Sequence, residues 1–227
     1  VARIEQARGD LDAALAKYEE SLAIRRELAS ELGTPGSRRD VSISLVRVAR
    51  IEQARGDLDA ALAKYEESLG IRRELASELG TPGSEQDLSW SLAKIAKLEL
   101  ARGNPSKARH YQEEAIVISR HLQAAAPCGD SILGRAQHAN PLVWDLVGLA
   151  RIQLALGALG AAADCLAEAG ELVALLEHPD LTDANLLDTA AAFYETQAKA
   201  AEASGDGKLA RSATKAAAAL RARIAAL

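Results

Sequence analysis

Apolar and polar positions along this chain never alternate with the period of two that marks a β-strand. They fall into helix-length runs broken by glycine- and proline-bearing turns. Gly33 and Gly80 stand where a helix C-terminal glycine belongs, with Pro35 and Pro82 just beyond. Ser37 and Ser84 are candidate N-caps, each with an acid three residues on, Asp40 and Asp87. Asn140 and Pro141 read in the same way as an N-cap and a first helical position. These signals predict an all-α protein, with one helix over about 38–55, a second over about 58–79, and the same pair in later segments.

The helix pairs are copies of one another. Residues 48–84 repeat residues 1–37 with one change, Ala23 becoming Gly70, so the period is 47. A diverged third copy turns at Gly103, where the first two turn at Gly9 and Gly56. A fourth turns at Gly157 and a fifth at Gly205, giving glycine spacings of 47, 47, 54 and 48. The predicted organisation is a single domain over 1–227, with repeats at about 1–37, 38–84, 85–127, 140–180 and 181–227. A flexible loop insertion over about 125–140 accounts for the long third spacing. Near-identity of the first two copies points to a recent or engineered duplication. The chain begins at Val1 inside a repeat, which predicts further sequence upstream.

Alignment on the glycines exposes columns of small residues. Seven residues before the glycine stand Ala2, Ala49, Ala96, Ala150 and Ala198; five after it stand Ala14, Ala61, Ala108, Ala162 and Ala210. Twelve after it come Ser21, Ser68, Ala115, Ala169 and Ala217. Helix propensity alone does not hold a column while its neighbours vary. Small residues on both sides of a turn let two helices approach closely.

Composition narrows the function. Hydrophobic content is 48% but aromatics are only 3%, so alanine-lined thin layers fit better than a thick globular core. A net charge of −5 argues against general nucleic-acid binding, which needs many cations to neutralise phosphates. Cys128 and Cys165 make neither a metal spacing nor a disulfide framework, which predicts a reducing, cytoplasmic setting. No stretch approaches the ~18 unbroken apolar residues of a membrane span.

The stretch GDLDAALAKYEESL from Gly56 resembles the turn and second helix of the tetratricopeptide (TPR) repeat, with small Ala61, aromatic Tyr65 and small Ser68 in place. The resemblance covers nearly the whole chain, most strongly in the first three copies, and looks closest to the long-helix variant of kinesin light chains and bacterial multidomain proteins. There are departures. The family's first-helix tryptophan position holds Leu45, Leu92, Leu146 and Tyr194, and its first-helix tyrosine position holds Glu5, Glu52, Glu99, Gln153 and Ala201. The resemblance implies a right-handed α-solenoid of about five helix-turn-helix repeats, with the first helix of each pair lining a concave groove.

Six residues before each glycine stand Arg3, Arg50, Lys97, Arg151 and Lys199, a basic column in an acidic protein. On the family's geometry this column faces the groove. Pairing within the helix at i±3 or i±4 fails for all but Lys199, which has Glu195 and Glu202. An anion-reading ladder, salt bridges to neighbouring helices and plain solvation all remain open. Two further rows, Ile43, Trp90, Trp144 and Ala192, then Val46, Ala93, Val147 and Glu195, face the same way on that geometry. Exposed, they suit the apolar anchors of a peptide whose carboxylates meet the Arg/Lys column; core packing of both tryptophans is the alternative. The Glu19/Glu20, Glu66/Glu67 and Glu113/Glu114 pairs read as a solvated outer face.

No catalytic constellation accompanies these columns. His110, His121, His138 and His178 lack partners at metal-ligand spacing, and there is no phosphate-binding glycine loop. The expectation is a protein-interaction module, not an enzyme, with no cofactor, no nucleic acid and no membrane. Its partner would be a protein or peptide segment of acidic character. Self-association through open solenoid ends and service as the sensor arm of a larger bacterial signalling protein are the alternatives.

Overall fold

In the computed structural model the described residues are 10–125 and 131–227. Arg3, Ala2, Glu5, the first helix of copy one and Cys128 lie outside them. The described residues form α-helices joined by short turns, and no strand occurs among them. Two compact units divide at Arg102 and Gly103.

The first unit contains α1 (Leu11–Leu32), α2 (Pro35–Arg55), α3 (Leu58–Leu79) and α4 (Pro82–Ala101). Each packs against the next in sequence. The caps explain the boundaries. Gly80 ends α3 at φ +55°, and Gly56 ends α2 at φ +88°, both in the left-handed region where a Cβ is strained. Asp57 then caps α3 by accepting from the Ala60 N–H at 3.1 Å. The caps of α2 and α4 are not Ser37 and Ser84 but Thr34 and Thr81, three residues earlier. Pro35 and Pro82 occupy the first helical position, where the missing N–H costs nothing. Ser37 and Ser84 sit at the third position and bond back to the threonine. An acid three residues after a serine was therefore the weaker signal; Thr-Pro was the stronger one.

The alanine columns are where the helices cross. Ala14, Ala49, Ala61 and Ala96 are fully buried in this unit. Tyr18, Leu22, Leu45, Val48 and Ile51 form one cluster with Ala14, each aliphatic side chain stabilising the fold by ~1.5–3 kcal/mol. Ser68, in the third small column, is also fully buried and donates to the Ser42 carbonyl at 3.0 Å. Charges then tie successive copies at the rim: Arg55 meets Asp12 at 3.0 Å, Arg102 meets Asp59, and Arg26 meets Glu67 at 2.5 Å.

The second unit contains α5 (Pro105–Ala125), α6 (Ile132–Ala155), α7 (Leu159–Leu176), α8 (Ala184–Ser204) and α9 (Gly207–Ala225). Its core gathers Leu146, Val147, Ala150, Leu166, Leu187 and Phe193. Of the loop expected over about 125–140, residues 132–140 are helix. α6 starts at Ile132 behind a Ser131 cap, and Asn140 and Pro141 lie inside it. Burial drives this: Ala136 and Ala139 are sealed off from water, and Ala136 packs with Leu181 and Leu186. A proline within a helix is tolerated where such packing outweighs one lost hydrogen bond.

Candidate functional site

The first unit carries an open concavity of about 450 Å³ between α2 and α4. Ile43, Val46, Arg47 and Arg50 line it from α2, Gln86, Asp87 and Trp90 from α4, and Arg72 from α3. Arg47 and Arg50 are one helical turn apart, so they share a face. On α4 the corresponding positions are Lys94 and Lys97, aligned one period later.

Among the described residues no carboxylate pairs with Arg47, Arg50, Lys94 or Lys97. The one acid lining the concavity, Asp87, is held by Arg39 through its Nε at 2.5 Å. Burial pushes the Lys94 amine below the usual lysine range, and the neighbouring charges of Lys97 and Arg50 push it the same way.

Trp90 is 41% exposed at the side of this cluster. The Arg72 guanidinium lies 5.3 Å from its ring centroid and the Lys94 ammonium 4.8 Å. Arg72 itself is buried. It donates to the Asp87 carbonyl at 2.8 Å, to Ser91 Oγ at 2.9 Å and to Ser42 Oγ at 3.3 Å. It thus stitches α3 to α2 and α4 and fixes the indole from behind.

The expected site residues fare differently. Arg50 and Lys97 are exposed, and Arg50 lines the concavity with Trp90 and the partly exposed Ile43. Val46 and Val147 are buried, at 5% and 2% exposure, with Val46 still part of the concavity's lining. Trp144 is half-buried on α6 and Lys199 exposed on α8. Arg3 lies outside the described residues.

Arg151 realises the alternative reading, a link to a neighbouring helix. Its Nε donates to Thr196 Oγ1 at 2.9 Å, and Glu195 stands at 4.0 Å. Burial lowers its pKa from the ordinary value, with the Glu195 and Asp188 carboxylates opposing.

The column nine residues before each glycine was overlooked. It reads Arg47, Lys94, Gly148 and Thr196, basic only in the first unit. In the second unit Thr196 receives Arg151, and at Gly148 a Cβ would come within 2.9 Å of Gln112 Oε1. Gln112 is pinned because its amide donates to the buried Asp145 at 3.0 Å. No side chain fits there, so the paired cation rows belong to the first unit.

No protein-family pattern matches the chain, and no curated protein matches it. Solved structures do. A crystal structure of BtubC (BKLC) from P. vanneervenii is 19% identical with a TM-score of 0.71, over 100% of this chain and 79% of that one. The nearly identical TPR-like repeats of a kinesin light chain-type protein from Podosopora anserina are 22% identical with a TM-score of 0.64, over 98% and 92%. A de novo designed helical repeat protein is 18% identical with a TM-score of 0.50, over 95% and 93%. What this chain shares with them is its fold, the TPR-like helical repeat.

Proposed function

We propose that this chain is a non-catalytic interaction module of the cytoplasm, and that the concavity between α2 and α4 holds an acidic segment of a partner protein. The observation that carries the reading is that Arg47 and Arg50 line the concavity beside a part-exposed Trp90 whose ring Lys94 also faces, and that none of these cations has a carboxylate partner among the described residues. Mutual repulsion of these cations costs stability, and an anionic ligand relieves it. Exposed ion pairs contribute only ~0.2–1 kcal/mol each, so the charges steer and select while Trp90 supplies apolar burial.

The test is binding of an aspartate/glutamate-rich peptide, followed by calorimetry at low and high salt. Wild type is compared with the Arg47→Glu, Arg50→Glu double variant and with Lys199→Glu. Salt-sensitive binding that the double variant loses and Lys199→Glu keeps supports the reading. Equal binding by all three, or none by wild type, removes the groove from consideration. Sedimentation of the same samples covers the self-assembly alternative: association untouched by the double variant would place the interface outside this groove.

A further inference from the structure

The concavity between α2 and α4 holds more positive charge than a carboxylate can balance. Four arginines line it, Arg39, Arg47, Arg50 and Arg72, against a single acid, Asp87. Arg39 and Asp87 neutralise each other at 2.5 Å. Arg47 and Arg50 meet no carboxylate among the described residues. Arg72 is 3% exposed, and its Nε and Nη1 donate to Ser42 Oγ, Ser91 Oγ and the Asp87 carbonyl. Those partners satisfy N–H groups but bring no full negative charge. Three cations therefore remain in about 450 Å³, one of them taken out of water.

The chemistry of the anions a protein can carry decides which one fits. A carboxylate brings one charge and two oxygens, which fill one guanidinium fork. A phosphate monoester brings about −1.5 to −2 at neutral pH and three acceptor oxygens. Arg47 and Arg50 present two forks from one face, one helical turn apart. The phosphate has oxygens for both, and charge left for Arg72. The concavity also continues past the Arg39–Asp87 pair into a second one of about 260 Å³, lined by Leu75 and Leu79, which shares Arg39, Arg72 and Asp87 with it. A ligand with chain on either side of its anion can follow such a channel, with Trp90 exposed at one wall. A free anion gains nothing from it.

We propose that the concavity binds a phosphorylated side chain of the partner segment, with Arg47 and Arg50 as its forks and the buried charge of Arg72 beside them. The proposal rests on the acidic-segment reading and names the anion that the segment carries. An unmodified serine at that point offers the arginines no charge, so binding follows the partner's phosphorylation.

The experiment takes the aspartate/glutamate-rich peptide and sets each position in turn to serine, glutamate or phosphoserine. Calorimetry on the wild-type chain should give roughly tenfold tighter binding for phosphoserine than for glutamate at the position that meets the concavity. That advantage should shrink from about pH 7.5 to about pH 5, since the phosphate takes up its second proton near pH 6 while glutamate stays ionised down to about 4.3. The Arg47→Lys, Arg50→Lys variant keeps both charges and removes the forks, so it should cut the advantage severalfold while circular dichroism shows it folded. Phosphoserine within about twofold of glutamate at every position overturns the proposal and leaves the acidic-segment reading standing. An advantage unchanged in the double lysine variant overturns it too, as does ATP binding more tightly than the best phosphoserine peptide. If no peptide of the series binds, the acidic-segment reading fails with it.

Discussion

Arg25 and Arg72 occupy the same position in two copies that differ at one residue, yet they should differ in what they contribute. Arg25 donates to the Asp40 carbonyl at 3.2 Å, with the Asp40 carboxylate at 3.9 Å and a side chain 29% exposed. Arg72 makes the equivalent bond to the Asp87 carbonyl at 2.8 Å and adds Ser91 Oγ, Ser42 Oγ and the Trp90 ring at 3% exposure. The difference lies in the flanking helices: Trp90 stands in place of Ile43 in the next copy and lies over the guanidinium, and Ser42 on the preceding helix has no counterpart for Arg25 among the described residues. A hydrogen bond to a charged group contributes ~1.5–3 kcal/mol, offset by several kcal/mol for desolvating the guanidinium. Arg72→Ala should therefore destabilise by about 2–3 kcal/mol, and Arg25→Ala by less than about 1 kcal/mol. Urea unfolding followed by circular dichroism reads this directly. With m near 1–2 kcal/mol per M, the midpoint should fall by roughly 1–2 M for Arg72→Ala and much less for Arg25→Ala. Equal shifts in the two variants would refute the argument that the flanking helices, and not the sequence of the copy itself, set the value of this arginine.

Three further outcomes follow from the same reasoning. Asp145→Ala removes the carboxylate that accepts from Gln112 Nε2 at 3.0 Å and from Ser119 Oγ at 2.6 Å in a buried site, and should cost about 2–3 kcal/mol in thermal or urea unfolding. Gly56→Ala forces a Cβ onto φ +88° where the space around it is open; strain alone should lower stability by ~1–2 kcal/mol, measured in the same assay. Burial raises the Glu52 carboxyl above 4.5, so the folded chain holds that proton more tightly than the unfolded one. Its contribution is most favourable below pH 4.5 and is lost as pH rises through the folded value, so Glu52→Gln should gain stability at neutral pH and flatten that fall. A pH series of urea midpoints in which the variant tracks wild type would count against the buried-carboxyl account.

The sequence by itself determined the helices, the turns and the crossings. Period, turn glycines and alanine columns are local or repeated signals, and the boundary of α3 at Leu58–Leu79 follows from them residue for residue. It also revealed the Arg50 and Lys97 positions, because a column of one charge survives alignment. What the sequence could not assign was each residue's neighbour on another helix. Arg151 belongs to the same register as Arg50, yet Arg151 meets Thr196 while Arg50 has no carboxylate partner among the described residues. Residues 132–140 of the expected loop became helix because Ala136 found Leu181 and Leu186, residues some fifty positions away. The cover of Trp90 over Arg72 was likewise decided by tertiary structure. Spacing along a chain fixes which face of a helix a residue shares, but burial and charge balance depend on what the next helix brings to that face.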